Sequence, residues 1–231
     1  MATRPVFTPK KNAKIGVNEV MVEFQWFPGM AKVQKQKSIN SLHEAAEKRN
    51  INPVLEISSK SEIELGVKLS AFNLMITTKK QGKTFSVETA FQSSKVFERG
   101  GPFIDLLDKT SREAKKDIRL KESGNLVAFT FFGKEYPLNP KTFFYDWLYI
   151  NALNQNEDLS NELMRYQGFT DIEFNPKKSI NCQAYSAALY SSLRHAGLLN
   201  DALESPEVFK EIFETEYRNH DDELKVQGVL V

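Results

Sequence analysis

The chain has 231 residues, 41% of them hydrophobic including 17 Phe, and its 31 Lys/Arg nearly balance 30 Asp/Glu. That composition supports a sizeable core and excludes a disordered, collagen-like or uniformly basic chain. One cysteine, Cys182, excludes an intramolecular disulfide and a zinc site built on several thiolates, and it predicts a reducing compartment.

Charge is uneven along the chain. Residues 1–40 carry seven Lys/Arg against Glu19 and Glu23, whereas residues 201–231 carry nine Asp/Glu against three Lys/Arg. The basic end (Arg4, Lys10, Lys11, Lys14) reads as an arm over about 1–14. It either touches phosphates or is simply solvated. No apolar run suggests a secretory signal, and none approaches the roughly 18 residues of a membrane span, so a cytoplasmic protein without a membrane partner is expected.

Val20, Val22, Phe24 and Trp26 alternate as a strand that ends at Pro28-Gly29. A short helix over Ser38 to Glu47 places Ile39, Leu42 and Ala46 on one side. Strands are predicted over Val54 to Ile57 and Phe72 to Thr77. A helix is predicted from Val87 to Glu98, closed by Gly100-Gly101-Pro102. Further helices follow through Phe103, Leu106 and Leu107 and after Ser111. Asn125 to Phe132 is β-rich, and Gly133-Lys134 reads as a hairpin turn before Tyr136. Helices are then expected over Thr142 to Asn154, Leu159 to Arg165 and Asn181 to Ala196. A further, final helix is started and capped by Ser205-Pro206 and carries Val208, Ile212 and Phe213. No repeat or Gly/Ser linker marks a boundary. The expectation is a single mainly helical α+β domain over 1–231 with short strands and its core at about 54–200.

The most informative segment runs from Val87 to Phe97. At 100° per residue, Glu88, Gln92 and Lys95 fall within roughly 60° of one another on a helix. Phe91 and Val96 flank them, so a carboxylate, an amide and an amine meet at an apolar margin where desolvation tunes pKa values. A solvated stripe with a Glu–Lys pair has the same spacing. Asp171 and Glu173 alternate as in a strand, so only one of them can face a given side. Asn181 either caps a helix or binds a ligand. Arg99-Gly100-Gly101 either presents an Arg and backbone amides to a diphosphate or ends a helix. Trp147 and Phe144 read as core residues or base-stacking platforms. His43, His195 and His220 have no partner spacing, and Cys182 reads as a buried inert thiol. No metal site and no cofactor motif is found.

Leu69-Ser70-Ala71-Phe72-Asn73-Leu74, Val87-Glu88…Gln92-Ser93-Ser94-Lys95 and Ser111-Arg112-Glu113-Ala114-Lys115 occur in that order. With Asp171-Ile172-Glu173-Phe174-Asn175 to Asn181, they resemble the NADAR family across roughly residues 54–200. Thr89 stands where the family usually has His, and Phe169 to Gln183 replaces a W-G-x-G…G-K-N-x-L-G loop. These departures, with Phe97 to Pro102 and Phe144 to Leu148, resemble the branch encoded beside DarT-type ADP-ribosyltransferase toxins.

The resemblance implies an antitoxin hydrolase that removes ADP-ribose from guanine in DNA or RNA and releases ADP-ribose, without a cofactor. It implies catalytic roles for Lys95, Glu88 and either Asp171 or Glu173, with Asp171 favoured. It implies substrate binding by Ser70, Phe72, Asn73, Gln92, Arg99, Gly100, Gly101, Trp147, Glu173 and Asn181. Two alternatives are an N-glycosidase on riboflavin-pathway intermediates and a non-catalytic partner that binds a cognate toxin. An N-glycosidic target suits the residues, because bond cleavage builds cationic character that a carboxylate stabilises. A neutral amine can also trap the opened sugar as an imine.

Overall fold

The computed structural model describes residues 1–11, 15–79, 82–176 and 179–218. Its architecture is α+β, with helices predominating over short strands. The chain divides into two compact units, one built from Met1–Ser70 and Asn156–Val231 and the other from Ala71–Gln155. Among the described residues, no helix is long and apolar enough to cross a membrane.

The first unit is organised by a four-stranded sheet in the order Val17–Phe24, Ala2–Pro9, Gly168–Thr170, Val54–Glu56. Ala2–Pro9 and Val17–Phe24 form a long antiparallel hairpin running from Ala2↔Phe24 to Pro9↔Val17. Phe7 then pairs with Phe169, and Val54–Glu56 runs parallel to Gly168–Thr170. The segment expected as a basic arm is therefore an interior strand with Val6 and Phe7 buried. Pro5 and Pro9 hide it in the sequence, since proline normally argues against a strand with neighbours on both sides. Lys10 is held rather than free, its Nζ lying 2.6 Å from Glu216. Lys14 and the acidic residues 219–231 lie outside the described residues, as does His220.

Neighbouring residues of a strand point to opposite faces, and here each face has its own cover. Val6, Val22 and Phe24 pack with Ile39, Leu42 and Ala46 of the helix Lys32–Glu47. Phe7 meets Tyr185 of the helix Gln183–Ala196 edge to face, with centroids 5.7 Å apart. The first of these helices begins two turns before the predicted Ser38. Its opening residues, Lys32 to Lys37, are good helix formers without apolar periodicity. The last helix, Pro206–Ile212, starts as predicted, with Ser205 accepting from the Val208 N–H at 3.2 Å.

The second unit holds a hairpin of Met75–Thr77 and Thr84–Ser86, the helix Val87–Ser93 and a meander of Lys95–Phe97, Leu126–Phe131 and Lys134–Tyr136. The helix Phe143–Gln155 is buried along most of its length. Phe144 stacks on Phe129 at 4.8 Å, and Phe91 lies 5.4 Å from Phe129, so Phe144 is a core residue. The second hairpin turns at Phe132-Gly133, one residue earlier than predicted, with φ of 46° and 78°. Paired positive φ values mark the two-residue turn whose twist matches its strands. Phe72 lies in a turn, and the predicted strand is confined to Met75–Thr77.

Phe7 is 2% exposed in the middle of the sheet. Truncating such a residue removes transfer free energy and leaves a cavity, so Phe7→Ala is expected to destabilise the protein by about 3–5 kcal/mol. Chemical denaturation followed by circular dichroism checks this. A change below about 1 kcal/mol would mean that residues 2–9 do not hold the sheet together.

Candidate functional site

In the second unit, the helix Val87–Ser93 starts where Ser86 Oγ accepts from the Thr89 N–H at 3.1 Å. That cap puts Glu88 in the first turn and Gln92 one turn later. Gln92 Nε2 donates to Glu88 Oε1 at 2.8 Å, and both side chains are buried, at 7% and 5% exposure. Gln92 Oε1 is buried and has no hydrogen-bond partner among the described residues. An unpaired buried carbonyl costs on the order of 1–3 kcal/mol, so a ligand donor would be received there favourably.

The predicted helix to Glu98 is corrected. The hydroxyls of Ser93 and Ser94 both donate to the Ala90 carbonyl, at 3.0 and 2.7 Å. The helix stops there, and Lys95–Phe97 becomes a strand with Lys95 opposite Phe129. The helical spacing that grouped Lys95 with Glu88 therefore does not apply. The amine nevertheless reaches the same neighbourhood, with Nζ 4.8 Å from the centre of the Phe91 ring. Burial lowers the Lys95 pKa to about 8; Glu88 opposes that shift by stabilising the ammonium, and Lys115 adds to it by repulsion.

Lys115 was not singled out from the sequence. It extends from the helix Ser111–Lys116, whose Thr110–Glu113 capping box fixes its start. Its Nζ lies 3.8 Å from Glu88 Oε1 and 5.1 Å from the Phe72 ring centre. The capping pattern Thr110-x-x-Glu113, which places Lys115 in the last turn, was the available signal. A cavity of about 470 Å³ borders Phe72, with Phe85, Ser86, Lys109 and Ser111 in its wall.

The other expected binding residues of this unit are more scattered. Asn73 is exposed and Trp147 half-buried. Arg99 donates to the Glu122 carbonyl at 2.7 Å, so its guanidinium is engaged within the fold. Gly100 accepts from the Phe97 N–H at 2.7 Å. Gly101 has φ of +90°, and a Cβ there would collide with the Lys95 carbonyl oxygen. The Gly-Gly pair thus closes a tight loop against the strand that carries Lys95, and does not end a helix.

In the first unit, Ser70 is buried with its hydroxyl donating to the Val67 carbonyl at 2.7 Å. Asp171 and Glu173 follow the strand Gly168–Thr170 in a turn, so strand alternation does not separate them. Asp171 is half-buried; it accepts from Gln183 Nε2 and the Glu173 N–H, both at 3.0 Å. Glu173 is an exposed residue paired with Lys35 at 3.3 Å. Burial and the charge of Glu56 push the Asp171 carboxyl up to about 8. The helix starts at Gln183 with Cys182 at its cap position, so Asn181 lies outside it and its Oδ1 has no partner among the described residues. Cys182 is buried, and burial beside Asp171 raises its pKa, as expected for an inert thiol. Lys177 and Lys178 lie outside the described residues.

Glu56 was also missed from the sequence. It is 1% exposed and accepts from Thr170 Oγ1 at 2.7 Å and the Ile172 N–H at 2.9 Å. A lone acid inside Val54-Leu55-Glu56-Ile57 looks like an outward-facing strand residue, and only the pairing with Thr170 shows that it is internal.

The lowered pKa of Lys95 has a thermodynamic consequence. Between pH 8 and about 10.4 the unfolded chain holds a proton on this lysine that the folded chain has lost, so stability gained from its deprotonation grows as pH rises through that window. Below pH 8 both states are protonated and burial of the ammonium is fully unfavourable. Lys95→Met is therefore expected to stabilise the fold at pH 7 by about 1–3 kcal/mol, with the gain vanishing by about pH 10.4. Denaturation at pH 7, 9 and 10.5 checks it, and a gain independent of pH would show that Lys95 is not desolvated.

A protein-family model described as DarT1-associated NADAR antitoxin matches residues 2–223, which takes in both units and every candidate residue above. No curated protein matches the chain. The NADAR family is in general one of hydrolases of the N-glycosidase type. With a match over nearly its whole length, the chain belongs to the DarT1-associated NADAR antitoxin family.

Proposed function

We propose that this antitoxin hydrolyses the N-glycosidic bond joining ADP-ribose to guanine in nucleic acid, and so reverses the product of an ADP-ribosyltransferase toxin. The observation that carries this reading is the Lys95 amine, held over Phe91 with its pKa lowered to about 8 by burial. At pH 7 about a tenth of such an amine is neutral, against well under a thousandth for an ordinary lysine. The family assignment supplies the toxin, and the unpaired Gln92 carbonyl supplies an acceptor for a sugar hydroxyl or base N–H.

The chemistry follows from those groups. The Lys95 amine attacks the anomeric carbon, the carbon–guanine bond breaks, and guanine leaves with a proton. Ring opening of the resulting glycosylamine gives an imine with Lys95. Water adds to the imine, releasing ADP-ribose and restoring the amine. Glu88 stabilises positive charge at the anomeric carbon and accepts a proton from the attacking amine or water.

Incubation with guanine-ADP-ribosylated oligonucleotide is expected to release ADP-ribose and leave unmodified guanine. Persistence of the adduct at high protein concentration would overturn the reading. Glu88→Gln keeps the shape of a buried residue while removing its charge, and is expected to lower the rate by about 10²–10⁴ without unfolding. Borohydride with ADP-ribose should add mass to the peptide carrying Lys95, and Lys95→Ala should abolish both label and turnover. An unlabelled wild type with an inactive Lys95→Ala would keep the site and replace the imine with proton transfer. A Lys95→Ala protein that turns over normally would remove Lys95 from the reaction.

A further inference from the structure

One side chain of the second unit breaks two local rules at once. Phe132 is the first residue of the two-residue turn Phe132-Gly133, with φ of 46°. That conformation suits Asn or Gly and is costly for a bulky side chain. The ring is also 63% exposed. It meets Phe131 and Phe85, with ring centres 4.5 and 6.1 Å away, yet most of it faces solvent. Neither the turn nor the core explains a phenyl ring at this position. A strained backbone kept for the sake of an exposed aromatic points to something that the ring meets.

Phe132 borders the candidate site of the same unit. Its neighbour Phe85 forms part of the cavity wall that Phe72, Lys109 and Ser111 also line. Ser86 Oγ lies 2.8 Å from Ser111 Oγ, which ties the strand carrying Phe85 to the helix Ser111–Lys116. Lys115 of that helix in turn reaches both Phe72 and Glu88. Lys109, Arg112 and Lys116 are exposed along the same stretch. The acids around them are engaged within the fold. Glu113 closes the capping box, Asp105 and Asp117 hold Arg119, and Asp108 holds Lys83. Residues 109–116 therefore present an excess of positive charge beside the cavity.

We propose that Phe132 is a stacking platform for an unpaired base flanking the modified guanine, while Lys109, Arg112 and Lys116 hold phosphates of the same strand. The inference rests on the reading of nucleic acid as the carrier of that guanine. Single-stranded nucleic acid is held by this combination, because every base offers a face to an aromatic ring and the backbone offers charge to cations. A protein partner calls instead for a contiguous apolar patch. Phe132 is followed by Gly133, Lys134 and Glu135, all exposed. The amino-terminal lysines are a poorer anchor for phosphates, since Lys10 is paired with Glu216.

The test measures equilibrium binding of an unmodified single-stranded oligonucleotide, an abasic strand of equal length and a duplex, by fluorescence anisotropy at low salt. Phe132→Asn is expected to weaken binding of the intact strand about tenfold, and Phe132→Trp to stay within about threefold of wild type. Affinity for the abasic strand and the duplex should not depend on Phe132. Combined Lys109→Gln, Arg112→Gln and Lys116→Gln should flatten the salt dependence of strand binding by about two units. Thermal melts give a readout of opposite sign: Phe132→Asn should melt at or above the wild-type temperature, because Asn suits the turn. A fall of more than about 4 °C would make the ring a packing group and overturn the proposal. So would a wild type that does not bind the intact strand, or a Phe132→Asn protein that binds it normally, the result expected if the ring docks a protein instead. Release of ADP-ribose from the modified oligonucleotide tests the hydrolase reading separately. No release together with Phe132-dependent strand binding fails that reading and upholds the platform, whereas release with Phe132-independent binding overturns the platform alone.

Discussion

The geometry around Lys95 depends on a single carbonyl, that of Ala90. It receives the Ser94 N–H at 3.2 Å and the hydroxyls of Ser93 and Ser94. Serine hydroxyls that bond back to the helix compete with its continuation, and two in succession stop it. The Ser94 carbonyl, released from helical duty, accepts from the Thr130 N–H at 2.7 Å. From that point the chain is a strand. The backbone of Lys95 is fixed to Phe129, whose ring packs on Phe91 and Phe144. The same apolar cluster that fixes the strand desolvates the amine.

Apolar periodicity made most elements legible. The buried face of the helix over Ile39, Leu42 and Ala46, the β-rich run 126–131 and the start of the final helix at Ser205-Pro206 all follow from spacing and caps. Two features were not legible for the same reason: local preference was overridden by a distant partner. Ala2–Pro9 carries two prolines and is a strand because Val17–Phe24 and Phe169 complete it. Lys95–Phe97 continues a helical pattern and is a strand because Leu126–Phe131 lies beside it.

The candidate site shows the same division. Glu88 and Gln92 are one helical turn apart, so their pairing could be read directly from the sequence. Lys115 enters from another helix, and Glu56 meets Thr170 across more than a hundred residues. Such contacts leave no periodic trace in one sequence. Buried polar residues amid apolar neighbours are the residual signal: a lone Glu in Val-Leu-Glu-Ile-Ser asks for a partner, because an ionised carboxylate in a sheet interior is tolerated only when its oxygens are bonded.

The pairing of Phe7 with Phe169 also sets an order on biosynthesis. The hairpin of residues 2–24 leaves the ribosome early, but the strand that flanks its other edge is made only after the whole of Ala71–Gln155. At typical elongation rates that interval is roughly ten to thirty seconds. During it, a two-stranded ribbon with apolar side chains on both faces has both edges open, the state most prone to pair with a neighbouring chain. Ala71–Gln155 is continuous in sequence and has no such wait. The amino terminus is therefore vulnerable while the rest of the chain is still being made, until Phe169 arrives to pair with Phe7.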